Sequence, residues 1–160
     1  MIKISRTSAI TAALGLAGSF VIGAVAQAQS PAPVDVIHAR QDKYKQVGKA
    51  MKGINDELKT PTPSVPAIQD YAKRIDALAP QLSTWFPKGS GPEAGVKTSA
   101  KAEIWLNPDQ FKRDTISFVG AAHKFDMVAA TGDLGKIKAQ VGDLGGTCKT
   151  CHESFRAGED

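Results

Sequence analysis

Apolar residues recur along the chain at steps of three, four and seven, the spacing of one helix face. In residues 34–59 they fall at Ile37, Tyr44, Val47, Met51, Ile54 and Leu58, which predicts a first amphipathic helix. Pro61, Pro63 and Pro66 end it. A second stretch, residues 66–85, carries Ile68, Ala72, Ile75, Leu78, Leu82 and Trp85 at the same spacing. Pro80 lies inside it and predicts a kink or a loosened last turn, because proline donates no backbone hydrogen bond. Residues 86–107 show no period and contain Pro87, Gly89, Gly91, Pro92 and Gly95. An unstructured loop of that length is uncommon in a compact domain. A structured crossover is therefore expected, with part of residues 101–106 helical or pinned by Trp105.

Asn107 as N-cap and Pro108 at the first helical position predict a third helix. It runs through Phe111, Phe118, Ala122 and Phe125 to about Ala130, where Gly132 stops it. Asp133 then caps a fourth helix, with Leu134, Ile137, Val141, Leu144, Cys148 and Phe155 on one face, to about Ala157. No stretch sustains strand alternation. The expected fold class is all-α: an antiparallel four-helix bundle with a long structured loop between helices two and three.

Residues 1–28 follow a different pattern. Lys3 and Arg6 precede an uncharged apolar run, and Ala24-Val25-Ala26 and Ala26-Gln27-Ala28 are small-x-small sites. These are the three parts of a secretory signal peptide. A retained anchor is the alternative, but Gly15, Gly18 and Gly23 dilute the run and no basic stop-transfer cluster follows. Cleavage is expected, leaving residues 29–160 as a single domain in the periplasm, with no membrane attachment. The whole chain of 160 residues has 20 Lys and Arg against 16 Asp and Glu. Removing residues 1–28 leaves 18 against 16, too weak and too dispersed a charge for nucleic-acid binding. Two cysteines exclude a disulfide framework and an all-cysteine metal cage.

Those two cysteines carry the strongest chemical signal. Cys148-Lys149-Thr150-Cys151-His152 is C-x-x-C-H, the attachment pattern of c-type haem. Thiols one helical turn apart add to the two vinyl groups on one edge of the macrocycle, and His152 then coordinates iron from one face. A thioredoxin-like pair would want a βαβ context. Zinc would need two more ligands, and only His38 and His123 remain as histidines. A disulfide across so short a loop would stabilise little. The expected cofactor is one covalently attached haem c.

An attachment motif at the C-terminal end of a helical bundle, continued as Cys-x-x-Cys-His-x-x-Phe-Arg, resembles the cytochrome c′ family, the class II c-type cytochromes with their low-spin relatives. The likeness spans nearly the whole expected mature chain. It includes Arg40-Gln41, Trp85-Phe86-Pro87-Lys88-Gly89, Thr98 followed by Glu103-Ile104-Trp105, Phe111, and Gly132-Asp133-Leu134. The resemblance implies that Cys148 and Cys151 hold the haem and that His152 binds its iron. It also implies that the residue four after Arg40 faces the other side of the iron. That residue is Tyr44, a departure from the family's usual methionine or aliphatic residue.

Bundle topology reaches Tyr44 independently, because the end of helix four lies beside the start of helix one. Tyr44 is either a buried aromatic packed on the haem face or a phenolate sixth ligand, and ligation must overcome an ordinary phenol pKa near 10. Met51 lies two turns further on, roughly 10 Å away, and is expected in the core. Arg40, one turn before Tyr44, is a candidate partner for a haem propionate, against an ordinary solvated arginine. Arg156 either adds charge near the proximal side or complements the helix dipole. His123 is expected at the surface or partly buried, and Trp105 against the core or the macrocycle rim.

Two functions follow from this site. One is a periplasmic one-electron carrier for redox partner proteins. The other is a five-coordinate haem module that binds nitric oxide or carbon monoxide. An enzyme is not expected, since the surroundings of Tyr44 offer no distal His–Arg pair for acid–base work. The resemblance also implies a possible homodimer.

Overall fold

A computed structural model describes residues 31–158. The expected signal peptide lies outside the described residues. The helices are α1 (Pro33–Glu57), α2 (Val65–Leu78), α3 (Glu103–Leu106), α4 (Pro108–Ala130) and α5 (Leu134–Phe155). Four of them form the bundle, and α3 is one turn within the long loop. Among the described residues, no helix is long and apolar enough to cross a membrane.

The helix boundaries follow from local chemistry. Ser64 accepts a hydrogen bond from the Ala67 amide, and Asp133 accepts one from the Lys136 amide, each at a helix start. Asn107 does precede α4, with Pro108 at its first position, but its side chain makes no capping bond. The second helix is shorter than its apolar period. It leaves the α conformation after Leu78 and continues as a 3₁₀ segment over Ala79–Trp85. Pro80 accounts for this, since it cannot donate to the Asp76 carbonyl one turn back. Leu82 and Trp85 stay buried, so the tighter winding keeps the apolar face inward.

The stripes meet in one core. Ile54, Ile68, Ile75, Phe125, Ile137 and Leu144 are all fully buried. Each such side chain contributes about 1.5–3 kcal/mol on leaving water. Helix α1 packs on α2, α2 on α4, and α4 on α5. By contrast, α1 and α5 make few direct contacts, although bundle topology makes them neighbours. The long loop spans that side. Gln41 of α1 donates to the Lys97 carbonyl, and the amides of Lys101 and Ala157 bond Phe155 and Ser99 respectively. An isolated antiparallel bridge, Ala100 to Arg156, ties the loop to the end of α5.

The turn between α4 and α5 needs Gly132, whose φ is 71°. Gly132→Ala should destabilise the protein by about 1–2 kcal/mol, the cost of a left-handed residue with a Cβ. Gly120 lies mid-helix with open space at its Cβ position. Gly120→Ala should instead stabilise by about 0.5–1 kcal/mol. Urea midpoints moving in opposite directions at constant slope would verify the pair.

Candidate functional site

A cavity of about 600 Å³ lies between α1 and α5. Tyr44, Val47, Gly48 and Met51 form its α1 wall, and Phe86, Ile104, Phe111 and Phe118 close its sides. Cys148, Cys151, His152 and Phe155 line it from α5. The volume is within the rough 300–1,000 Å³ range of cofactor sites, and apolar lining with a few polar groups is their usual chemistry. A Cβ on Gly48 would meet nothing within 4 Å, which leaves this stretch of α1 open to a broad planar group.

Helical spacing puts both cysteines on the cavity side, one turn apart, and both are free thiols. Burial pushes both thiols up, Cys151 to about 11, with the Asp114 charge as the next influence on Cys151. They are therefore neutral S–H groups near pH 7, unlike the thiolate of a redox-active pair. His152 is exposed yet also lines the cavity. Burial, then the neighbouring Arg156 charge, pull its pKa below the usual 6.5. A neutral imidazole is the form that binds a metal. Two thiols and one imidazole on an apolar wall fit a haem joined through its vinyl groups.

Tyr44 faces this trio from α1. Its ring meets Trp85 edge-on, with centroids 5.2 Å apart, and lies 6.3 Å from Phe86. Burial drives its phenol pKa well above the ordinary value, so the side chain is an uncharged aromatic. Met51 also reaches the cavity and packs against the core.

Arg40 is 3% exposed, so it is not a solvated arginine. Its Nη1 donates to the Ser90 carbonyl at 2.6 Å and to Ser90 Oγ at 2.9 Å, and Nη2 donates to Thr98 Oγ1 at 2.9 Å. The guanidinium carbon lies 4.9 Å from the Phe86 ring centre and 5.9 Å from that of Trp105. Arg40 borders the cavity while it holds the loop. Trp105 donates to the Phe86 and Pro87 carbonyls, pinning the crossover as its position suggested. His123 lies near the surface, 3.5 Å from Asp76, and His38 is exposed. Neither histidine lines the cavity.

Four side chains were not among the site residues read from the sequence. Ser90 is buried as the acceptor for Arg40, and nothing in its sequence context marks it. Phe86 and Phe111 form a wall with ring centres 5.0 Å apart. Asp114 also lines the cavity. Its signal was available: it interrupts the apolar stripe between Phe111 and Phe118.

The sequence model of the family described as Cytochrome C′ matches residues 35–156. The cytochrome c′ of Pararhodospirillum photometricum is 34% identical over 125 residues, covering 78% of this chain and 98% of the relative. That of Rhodospirillum rubrum is 37% identical over 134 residues, covering 83% and 88%. A solved cytochrome c′ described as having an unusual ligand-controlled dimer dissociation is similar at a TM-score of 0.77 and 31% identity. That likeness covers 81% of this chain and all of the other. The cytochrome c′ structure from Thermochromatium tepidum gives 0.76 at 26% identity, with the same coverage.

Arg40→Leu removes a buried charge clamp and leaves its acceptors without their donor. The expected loss is about 2–3 kcal/mol, the scale of hydrogen bonds to a charged group. Hydrogen exchange should quicken across residues 97–101. Arg40→Lys should fall between the two, because a point ammonium cannot reproduce the forked donors.

Proposed function

The chain belongs to the cytochrome c′ family, and from that premise we propose that it is a periplasmic monohaem c-type cytochrome that carries single electrons between redox partner proteins. The observation that carries this reading is the meeting of Cys148, Cys151 and His152 on one wall of the apolar cavity. When bound there, haem c supplies an iron centre that gains and loses one electron.

The residues divide the work. Cys148 and Cys151, one helical turn apart on the cavity wall, would hold the haem through thioether bonds to its two vinyl groups. His152 would donate a ring nitrogen to its iron. Tyr44, an uncharged phenol facing these residues from α1, would shield the iron without adding charge. Arg40 holds the loop that closes the site and offers positive charge toward a propionate. The exposed lysines of α1 and α5 suit encounter with an acidic partner protein, where charge raises the association rate. Export rests on the signal pattern of residues 1–28. The proposed role is not enzymatic.

The packing of Tyr44 against Trp85 and Phe86 favours a second reading. An aromatic that only packs leaves the iron without a sixth protein ligand, open to nitric oxide or carbon monoxide. A related cytochrome c′ is described by its ligand-controlled dimer dissociation. By that likeness, a homodimer whose association responds to its ligand belongs to this second reading.

The exported protein, purified, should carry one covalent haem by mass and by haemochrome spectrum. Cys148→Ala or Cys151→Ala should leave it attached through one bond or lost, and His152→Ala should keep it attached with altered iron ligation. A protein without covalent haem would overturn the assignment. Spectra with and without carbon monoxide separate the two roles: a low-spin spectrum unmoved by the gas belongs to the carrier, a high-spin form that binds it to the gas module.

Tyr44→Phe should leave the ferric spectrum nearly unchanged, and Tyr44→Ala should speed gas binding by opening the pocket. Loss of a phenolate charge-transfer band in Tyr44→Phe, with a higher potential, would instead make Tyr44 the sixth ligand.

A further inference from the structure

One charged side chain on the cavity wall has no role in the haem reading. Asp114 stands on α4 between Phe111 and Phe118, on the side that lines the cavity. Its Oδ2 is buried and has no hydrogen-bond partner. Leaving a buried acceptor unsatisfied costs about 1–3 kcal/mol, and more when the group is charged. An apolar residue would avoid that cost at a position flanked by phenylalanines.

The charges around the cavity make Asp114 distinctive. Among the described residues, it is the acid on a wall whose other formal charges are the cations Arg40, Lys45 and Arg156. Arg40 is engaged by Ser90 and Thr98, and Lys45 by Asp42. Asp114 Oδ2 bonds none of them. Asp114 and Cys151 line the same cavity from two packed helices, α4 and α5. Cys151 is one of the two positions that tether the macrocycle.

We propose that Asp114 sets the reduction potential of this chain's haem, by holding negative charge against the edge that Cys151 tethers and so favouring the oxidised iron. The inference rests on the haem reading above. Reduction adds one electron to the iron, so the haem core is one unit more positive when oxidised. A fixed anion at the cavity wall attracts the oxidised form more strongly. Apolar surroundings screen that attraction less than water does. Burial and neighbouring charge are among the levers by which a protein moves haem potentials.

The test is a redox titration of the haem-loaded protein and a charge series at this position. Covalent haem is measured first in every sample. Asp114→Asn keeps the shape and removes the charge, so its potential should rise. Asp114→Glu should stay near the native value, and Asp114→Lys should rise further than Asn. A packing role would not order the variants by charge. Thermal melting of the same samples separates a lost fold from a shifted potential. If Asn and Lys fold poorly, Asp114→Ser supplies the neutral member of the series. Coincident potentials in proteins that carry haem would overturn this inference alone. Absence of covalent haem from the native protein would overturn the haem reading itself.

Discussion

A guanidinium buried between α1 and the long loop is the constraint on which the rest of the site depends. Moving a charge from water into an interior costs several kcal/mol unless its donors and its charge are met. Burial lowers the Arg40 pKa, yet an arginine remains protonated, so the loop must supply the acceptors. It does so with Ser90 and Thr98, and with the faces of Phe86 and Trp105. Those partners lie between residues 86 and 105, so one side chain fixes the path of most of the crossover. A loop of this length with several glycines and prolines would otherwise have many conformations of similar energy.

That fixed loop allows the bundle to remain open on one side. Four helices ordinarily close a square, with the last packed on the first. Here α1 and α5 are joined through the loop: Arg40 and Gln41 hold it from one side, and the backbone beyond Phe155 holds it from the other. The space between the two helices is the cavity, and the attachment motif projects from the helix that the loop restrains. Architecture and site are thus one arrangement. The features that keep α1 off α5 are those that face Tyr44 toward Cys148, Cys151 and His152.

How much of this the sequence disclosed depended on the range of the interaction. Helix positions, the capping Asp133 and the glycine stop at Gly132 are local, and they were legible from spacing and residue type. C-x-x-C-H was legible because its chemistry fits within one helical turn. Pro80 announced a disturbance but not its form, since 3₁₀ winding depends on whether Leu82 and Trp85 can stay buried. The side of Tyr44 followed from periodicity joined to bundle topology. The acceptors of Arg40 did not: Ser90 lies fifty residues away in an aperiodic segment, and no local rule relates the two. Asp114 was visible as a charge on an apolar stripe, but that pattern alone does not distinguish a cavity wall from a solvated edge.

The placement of charge gives the two sides of the proposed haem different tasks. Tyr44 lines the cavity from α1, and burial keeps its phenol neutral. It can therefore govern access to the iron by shape without changing the charge of the site. Asp114, on the α4 wall, changes charge without standing on the α1 side where Tyr44 guards access. Access and potential then rest on separate helices and respond to separate substitutions. The carrier and gas-binding roles then differ at Tyr44, while Asp114 adjusts either one. The bundle places its two controls on walls that share the cavity but not their chemistry.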